Sequence, residues 1–226
     1  MQNDRGLSSD ILTSVEHDVA TARRNLNIDD NQFNRRTFIR TVFAAVEGII
    51  FDFKQDSLER LKSYPQLYSQ PEIAMLREES YALDNKGEAY SQPKFLRTSE
   101  NFLFTMKMYM RDNYVPLEID IDGVGWNAFK QSLSVRHRAT HPKLAADFYI
   151  TDKEIADAET AWAWFYQTLL LNLTHIGTAQ KSKIVRLETE LAQREAQRQQ
   201  REEEAEQTRT SGDKADVPSI PSQEVE

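Results

Sequence analysis

One long helical stripe constrains the fold of this chain more than any other feature. Large apolar residues recur at spacings of three and four from Phe33 to Leu61, which places them on one side of an α-helix. The pattern stops at Tyr64-Pro65, because proline lacks an amide hydrogen and its ring clashes with the preceding turn. The stripe is wide, so we predict a central helix that is covered on more than one side.

Other segments carry the same helical period. Helices are predicted over 10–26, over 95–114 with Phe95 facing inward, and from Asp122 or Gly123 to about Thr140. Another is predicted from a capping box at Thr151 and Glu154 to near Gly177. A short helix is expected over 71–83, a turn at 85–87 and an extended piece at 117–121. Seven glycines and seven prolines are few for this length, which favours an all-α, compact helical bundle.

The chain is expected to divide into four parts. Residues 1–30 form an N-terminal helix, and residues 31–177 form a helical domain. Residues 178–207 form a charged helical extension, because after Leu191 nothing apolar larger than alanine appears until Val217. Residues 208–226 are polar and are predicted to be a disordered tail.

Composition narrows the classes of function. The chain has no cysteine, which excludes disulfides, thiol nucleophiles and thiolate metal sites. No apolar run is long enough to cross a membrane, and no signal core follows the N-terminus, so a soluble cytoplasmic protein is expected. The net charge is -8, yet residues 31–46 and 127–146 carry cations and no acid. Together these windows could face a phosphate backbone, or their acidic partners could lie elsewhere in space.

The second basic window holds the strongest candidate site, Arg136 to Lys143. It contains two of the four histidines of the chain and lies at a helix end before Pro142. Histidine titrates near neutral pH and can move a proton, whereas arginine offers a planar fork of N–H donors for phosphate oxygens. These groups suit metal-independent cleavage of RNA, in which the 2′-hydroxyl attacks the neighbouring phosphate.

The segment Arg136-His137-Arg138-Ala139-Thr140-His141 resembles the motif of the HEPN-superfamily ribonucleases. In that motif an arginine, commonly followed by Asn, Asp or His, precedes a histidine by four to six residues. The ending Thr140-His141-Pro142-Lys143 is similar to that of some HEPN-like proteins, and the stretch 35–51 resembles one of their early helices. The resemblance covers about residues 31–177.

The resemblance implies a small helical bundle that dimerises, with the motifs of two protomers facing each other in one RNA-cleaving site. Many such proteins are toxins or antiphage-defence effectors, and others are inactive nucleotide-binding or protein-interaction modules. It implies that Arg136 contacts phosphate, that His141 is the general acid/base and that His137 orients it. Expected partners are RNA, a second copy of the chain and an antitoxin or regulatory protein. No cofactor or metal is expected. The residues predicted to support the site are Glu47, Arg40, Arg138, Thr140 and Lys143.

One supporting residue follows from burial alone. Glu47 lies inside the most apolar stretch, 42–53, where a carboxylate must be paired or protonated. We therefore predict that Glu47 contacts Arg136 or Arg40, unless it lies on a narrow wet edge of its helix. Arg138 and Lys143 are expected to help electrostatically.

Two other interpretations remain. A zinc site could use His137 and His141 with His17 or His175, but there is no HExxH pattern and Pro142 makes helical geometry at His141 doubtful. A non-enzymatic interaction module could use the bundle as a docking unit and the charged helix after Lys181 to recruit a partner.

Overall fold

The computed structural model describes residues 9–212. Its central helix α2, Gln32–Ser63, begins after Asn31, whose side-chain oxygen accepts a hydrogen bond from the amide of Asn34. The helix ends at Tyr64, before Pro65, as the sequence predicts. The apolar stripe is confirmed between the buried residues Phe38 and Leu61, whereas Phe33, its first predicted residue, is 67 % exposed.

Three helices make the most extensive contacts with α2 and cover it on several sides. They are α1, Ser9–Ile28, α4, Thr98–Asp112, and α5, Val124–Thr140. The first part of α6, Asp152–Gly212, adds Ile155, Phe165 and Leu169 to the same core. Within residues 9–212 the only sheet has two strands, so the predicted all-α helical bundle is confirmed.

An aromatic cluster anchors the first half of α5. The Phe129 side chain is 1 % exposed, and its ring lies 5.5–6.5 Å, centroid to centroid, from five other rings. A Cβ atom at Gly125 would come within 2.4 Å of the Trp164 ring, so glycine permits this close approach of α5 and α6. Edge and stacked contacts of this kind add to the burial energy of the rings. The partner rings of Phe129 are those of Phe43, Phe102, Trp126, Trp164 and Phe165.

The helix predicted over 71–83 is wrong beyond Leu76. The helix α3, Gln70–Leu76, is followed by Glu78 at φ 53°, a left-handed conformation that takes the chain out of the helical path. An antiparallel hairpin of β1, Glu79–Leu83, and β2, Ala89–Pro93, comes next, with Gly87 at φ 80° in the predicted turn. A 3₁₀ turn, Pro65–Leu67, precedes α3.

The start of α4 also differs from prediction, whereas the irregular segment after it does not. Phe95 is 92 % exposed and lies before α4, which starts at Thr98, because the strand β2 uses the preceding residues. Residues 117–121, predicted as at most a short extended piece that makes no sheet, form no strand. The partly buried Val115, Leu117 and Ile119 pack on the core from an irregular segment, which Asn172 holds through both backbone groups of Glu118.

The helix α6 does not end near Gly177. This glycine keeps φ negative instead of adopting the left-handed conformation that commonly ends a helix. The chain separates into two units, one up to Ile176 and one from Gly177. The second unit is the charged helical extension, which runs to Gly212 with ion pairs such as Arg186–Glu190 four residues apart. The tail predicted to be disordered begins at residue 208, but residues 208–212 still belong to α6, and the residues from 213 onward lie outside the described residues.

Candidate functional site

The end of α5 carries the candidate site. The helix is confirmed to end at Thr140, and His141 is its C-cap residue with φ −123° and ψ 62°. The His141 amide donates to the His137 carbonyl at 3.0 Å, which is the ordinary α-helical pattern. The His141 amide therefore still belongs to the helical hydrogen-bond pattern, whereas its own φ and ψ leave the helix before Pro142.

The predicted contact of Glu47 is made with Arg136. A terminal guanidinium nitrogen of Arg136 donates to Glu47 Oε2 at 2.9 Å. The two side chains are 26 % and 40 % exposed, so the ion pair lies at the edge of the core. Guanidinium has five N–H donors, and this contact uses one terminal nitrogen. Thr98, the first residue of α4, approaches the other carboxylate oxygen at 3.4 Å.

Arg40, the other predicted partner of Glu47, contacts a backbone carbonyl instead. Its guanidinium donates to the Ala139 carbonyl at 2.5 Å, near the C-terminal end of α5. The last carbonyls of a helix have no partner within it, so this contact satisfies one of them and ties α5 to α2. Arg35 and Arg36 likewise donate to the carbonyls of Ile150 and Phe148, at 2.9 and 3.0 Å.

Arg138 is held by a denser set of contacts. Both terminal nitrogens of its guanidinium donate to the Glu154 carboxylate at 3.0–3.2 Å, and one also donates to the Tyr149 carbonyl at 2.9 Å. Glu154 also accepts from the Thr151 amide, and Thr151 Oγ1 accepts from the Glu154 amide, so the predicted capping box is confirmed. Arg138 thereby connects α5 to the start of α6.

The two histidines of the segment are exposed and adjacent. The ring centroids of His137 and His141 are 5.3 Å apart with an interplanar angle of 58°. Among residues 9–212 neither imidazole has a hydrogen-bond partner. Both rings are therefore open to a ligand from solvent, on the same final turn of α5 that carries Arg136.

The remaining predicted residues fix the backbone after the helix. Thr140 Oγ1 donates to the Arg136 carbonyl at 2.8 Å, which orients its side chain along the helix. The amides of Lys143 and Leu144 donate to Asp147 Oδ2 at 2.7 and 2.9 Å. These backbone hydrogen bonds lower the pKa of the Asp147 carboxyl. The Lys143 side chain is exposed.

Sequence reasoning missed three contributors. Thr98 could not be placed near Glu47, because the helix α4 was predicted to begin earlier and nothing local marks the contact. Glu154 was recognised only as part of a capping box, although a capping carboxylate near a basic window signals an arginine partner. Asp147, four residues after Lys143, has the spacing of a side chain that closes a turn on earlier amides.

No protein-family model, no curated protein and no solved structure matches this chain. In residues 9–212 no helix is long and apolar enough to cross a membrane. The same part of the chain contains no group of three or more His, Asp or Glu side chains placed to hold a metal ion. What the site does is therefore inferred from its own residues and their contacts.

Proposed function

We propose that this chain is a metal-independent RNA endonuclease of the HEPN type, of the toxin or antiphage-defence kind. The observation that supports the proposal is the arrangement on the last turns of α5. Arg136 is fixed by Glu47 while keeping further N–H donors, and the exposed imidazoles of His137 and His141 follow it. Phosphate binding and proton transfer use these two types of group.

In the proposed reaction the 2′-hydroxyl of one nucleotide attacks the adjacent phosphorus. The neutral imidazole of His141 accepts the hydroxyl proton, and Arg136 donates hydrogen bonds to the phosphate oxygens, where negative charge develops. The P–O5′ bond then breaks, and a protonated imidazole returns a proton to the leaving oxygen. The products are a 2′,3′-cyclic phosphate and a 5′-hydroxyl. His137 orients or supports His141, and Lys143 contributes positive charge, whereas the Arg138 guanidinium is paired with Glu154.

The proposal includes a dimer in the cytoplasm. Both histidines and the edge of the Arg136–Glu47 pair face solvent in one chain, so a second copy can approach this end of α5 and complete a site between two motifs. RNA is the proposed substrate, and an antitoxin or regulatory protein is the proposed partner that controls it. If the site is composite, light scattering should give at least a dimeric mass at micromolar concentration, and a strictly monomeric mass would count against a shared site.

The test is cleavage of total RNA by the purified full chain in the presence of a chelator. Arg136→Ala is expected to reduce the rate by about 100- to 1,000-fold, because it removes charge stabilisation in the transition state. His141→Ala is expected to reduce it by about 100- to 10,000-fold, because it removes proton transfer. The matched control is His17→Ala, which removes an exposed histidine of α1 and should leave the rate unchanged.

Circular dichroism must show that each variant is folded. Loss of cleavage in both site variants, with the control intact, supports the enzyme. An activity that copurifies with the preparation and survives both substitutions would refute it.

An interaction module without catalysis is the alternative, and one observation favours it. In the second unit the exposed side chains of Ile184, Leu187 and Leu191 form a short apolar seam on a charged helix. No cleavage by the wild-type chain, together with binding of a partner that survives Arg136→Ala and His141→Ala, would support this alternative.

A further inference from the structure

The pair of imidazoles at the end of α5 has a second use, as metal ligands. We propose that His137 and His141 together bind one divalent late-transition-metal ion, such as Zn²⁺, and that the bound ion blocks the site. The binding is independent of the proposed ribonuclease function, whereas the blocking rests on it.

The spacing of the two rings supports joint coordination. The hydrogen bond from the His141 amide to the His137 carbonyl, 3.0 Å long, keeps the two residues one helical turn apart on one face. Two imidazoles bound to one tetrahedral zinc ion through Zn–N bonds of about 2 Å have ring centroids on the order of 5 Å apart. The observed separation is 5.3 Å. The two rings are therefore at the separation that joint coordination of one ion requires.

The availability of the rings also supports binding. Both are exposed, and neither has a hydrogen-bond partner among the described residues, so a metal ion would displace only water. The His175 ring, in contrast, lies 3.9 Å from a Glu118 carboxylate oxygen, and His17 lies on α1. No third ligand from residues 9–212 joins the pair in a cluster, so water would fill the other coordination positions and the ion would exchange freely.

The basic residues near the two histidines repel a metal cation less than their number in the sequence suggests, because two of them are paired with acids. The guanidinium groups of Arg136 and Arg138 are paired with Glu47 and Glu154. The C-terminal end of a helix carries partial negative charge and favours cations. Imidazole ligands suit zinc, copper and nickel, whereas magnesium prefers oxygen ligands, so the pair should discriminate between these two groups of ions.

A bound metal ion would stop the proposed reaction because it would prevent proton transfer. A ring nitrogen that donates its lone pair to a metal ion cannot accept the proton of a 2′-hydroxyl. Occupation of both rings would therefore remove the general base, and a chelator would restore it.

The binding test is calorimetric titration of the full chain with zinc chloride at neutral pH, with magnesium chloride for comparison. His137→Gln and His141→Gln should each weaken zinc binding by about a hundredfold, because a single imidazole loses the gain from two linked ligands. The matched controls His17→Gln and His175→Gln should bind as tightly as the wild type. Equal affinity in all variants, or no binding by the wild type at millimolar zinc, would overturn the proposal.

The inhibition test adds zinc and then a chelator to a cleavage reaction. Reversible loss of cleavage at the concentration that saturates the calorimetric site supports the blocking, and unchanged cleavage at saturation refutes it. If the wild-type chain binds zinc through this pair but never cleaves RNA, the ribonuclease proposal and the blocking fall together, while the metal site stands. If it cleaves RNA but does not bind zinc, the metal proposal fails alone.

Discussion

Arg136 and Arg138 lie two residues apart on α5 but differ in how many hydrogen bonds their guanidinium groups make within the fold. Arg138 gives both terminal nitrogens to Glu154 and a further hydrogen bond to the Tyr149 carbonyl. Within residues 9–212 the Arg136 guanidinium makes one hydrogen bond, to Glu47, whose side chain is 40 % exposed against 21 % for Glu154. Both belong to the same basic window, and only their partners distinguish them.

This difference in partners makes Arg138 a structural residue and leaves Arg136 able to bind a ligand. The terminal donors of Arg138 are engaged within the fold, so it connects α5 to α6. Arg136 is oriented by one carboxylate and has further donors for a phosphate, which can accept two parallel hydrogen bonds from guanidinium. The number of basic residues in the sequence cannot distinguish Arg136 from Arg138, because the acidic residues that pair with them are distant along the chain.

The largest expected effect in this comparison is on stability. Arg138→Ala should lower the free energy of unfolding by about 2–3 kcal/mol, because it leaves the partly buried Glu154 without its cation. Arg136→Ala should lower it by no more than about 1 kcal/mol, because Glu47 remains 40 % exposed and can be solvated. Urea unfolding followed by circular dichroism measures both. The reverse order would show that Arg136, and not Arg138, is the structural residue.

A smaller effect is expected from Glu47→Gln. The amide keeps an oxygen that can accept from Arg136 but removes the charge, so the free energy of unfolding should fall by about 0.5–1 kcal/mol. Cleavage of RNA should fall several-fold, because Arg136 is held less firmly. Glu59→Gln on the same helix, which removes the charge from an exposed pair with Lys62, is the matched control for both measurements. Unchanged stability and unchanged cleavage in Glu47→Gln would refute a positioning role for Glu47.

The smallest effect concerns Asp147, which closes the turn after His141. Hydrogen bonds from the Lys143 and Leu144 amides lower its pKa, so the carboxylate stabilises the folded state above about pH 4. That contribution is lost as the pH falls through the lowered value. Asp147→Asn should increase hydrogen exchange of these two amides at neutral pH and leave the buried helices protected. Equal exchange in both proteins would show that the carboxylate does not hold the turn.

The helical core and part of the site could be predicted from the sequence, because both follow local rules. Periodicity located α2 and α5, and Thr151 with Glu154 marked the start of α6. A carboxylate in an apolar stretch identified Glu47 as paired, and the structure selected Arg136 over Arg40. That choice depends on which helices face each other, which no local pattern contains.

Other features were missed because the local signals were ambiguous. The residues of β1 also fit a helical pattern, and only the left-handed Glu78 separates α3 from the hairpin. Gly177 was interpreted as a helix end, yet glycine ends a helix only where the backbone turns left-handed. The charged extension also continues as a helix without a core, where pairs such as Arg198–Glu202 stabilise it four residues apart.

The position of His141 as the C-cap residue determines how the two imidazoles respond to heat and mild denaturants. Its amide makes the last helical hydrogen bond, to the His137 carbonyl, and the residues on either side of it are held by Arg40 and Asp147. Helix ends open locally at a much smaller free-energy cost than whole domains unfold. The fraction of molecules with both imidazoles aligned is therefore set by fraying of one turn. As conditions become harsher, that fraction declines while the aromatic cluster around Phe129 stays intact, and the alignment of the two imidazoles is lost before the protein melts.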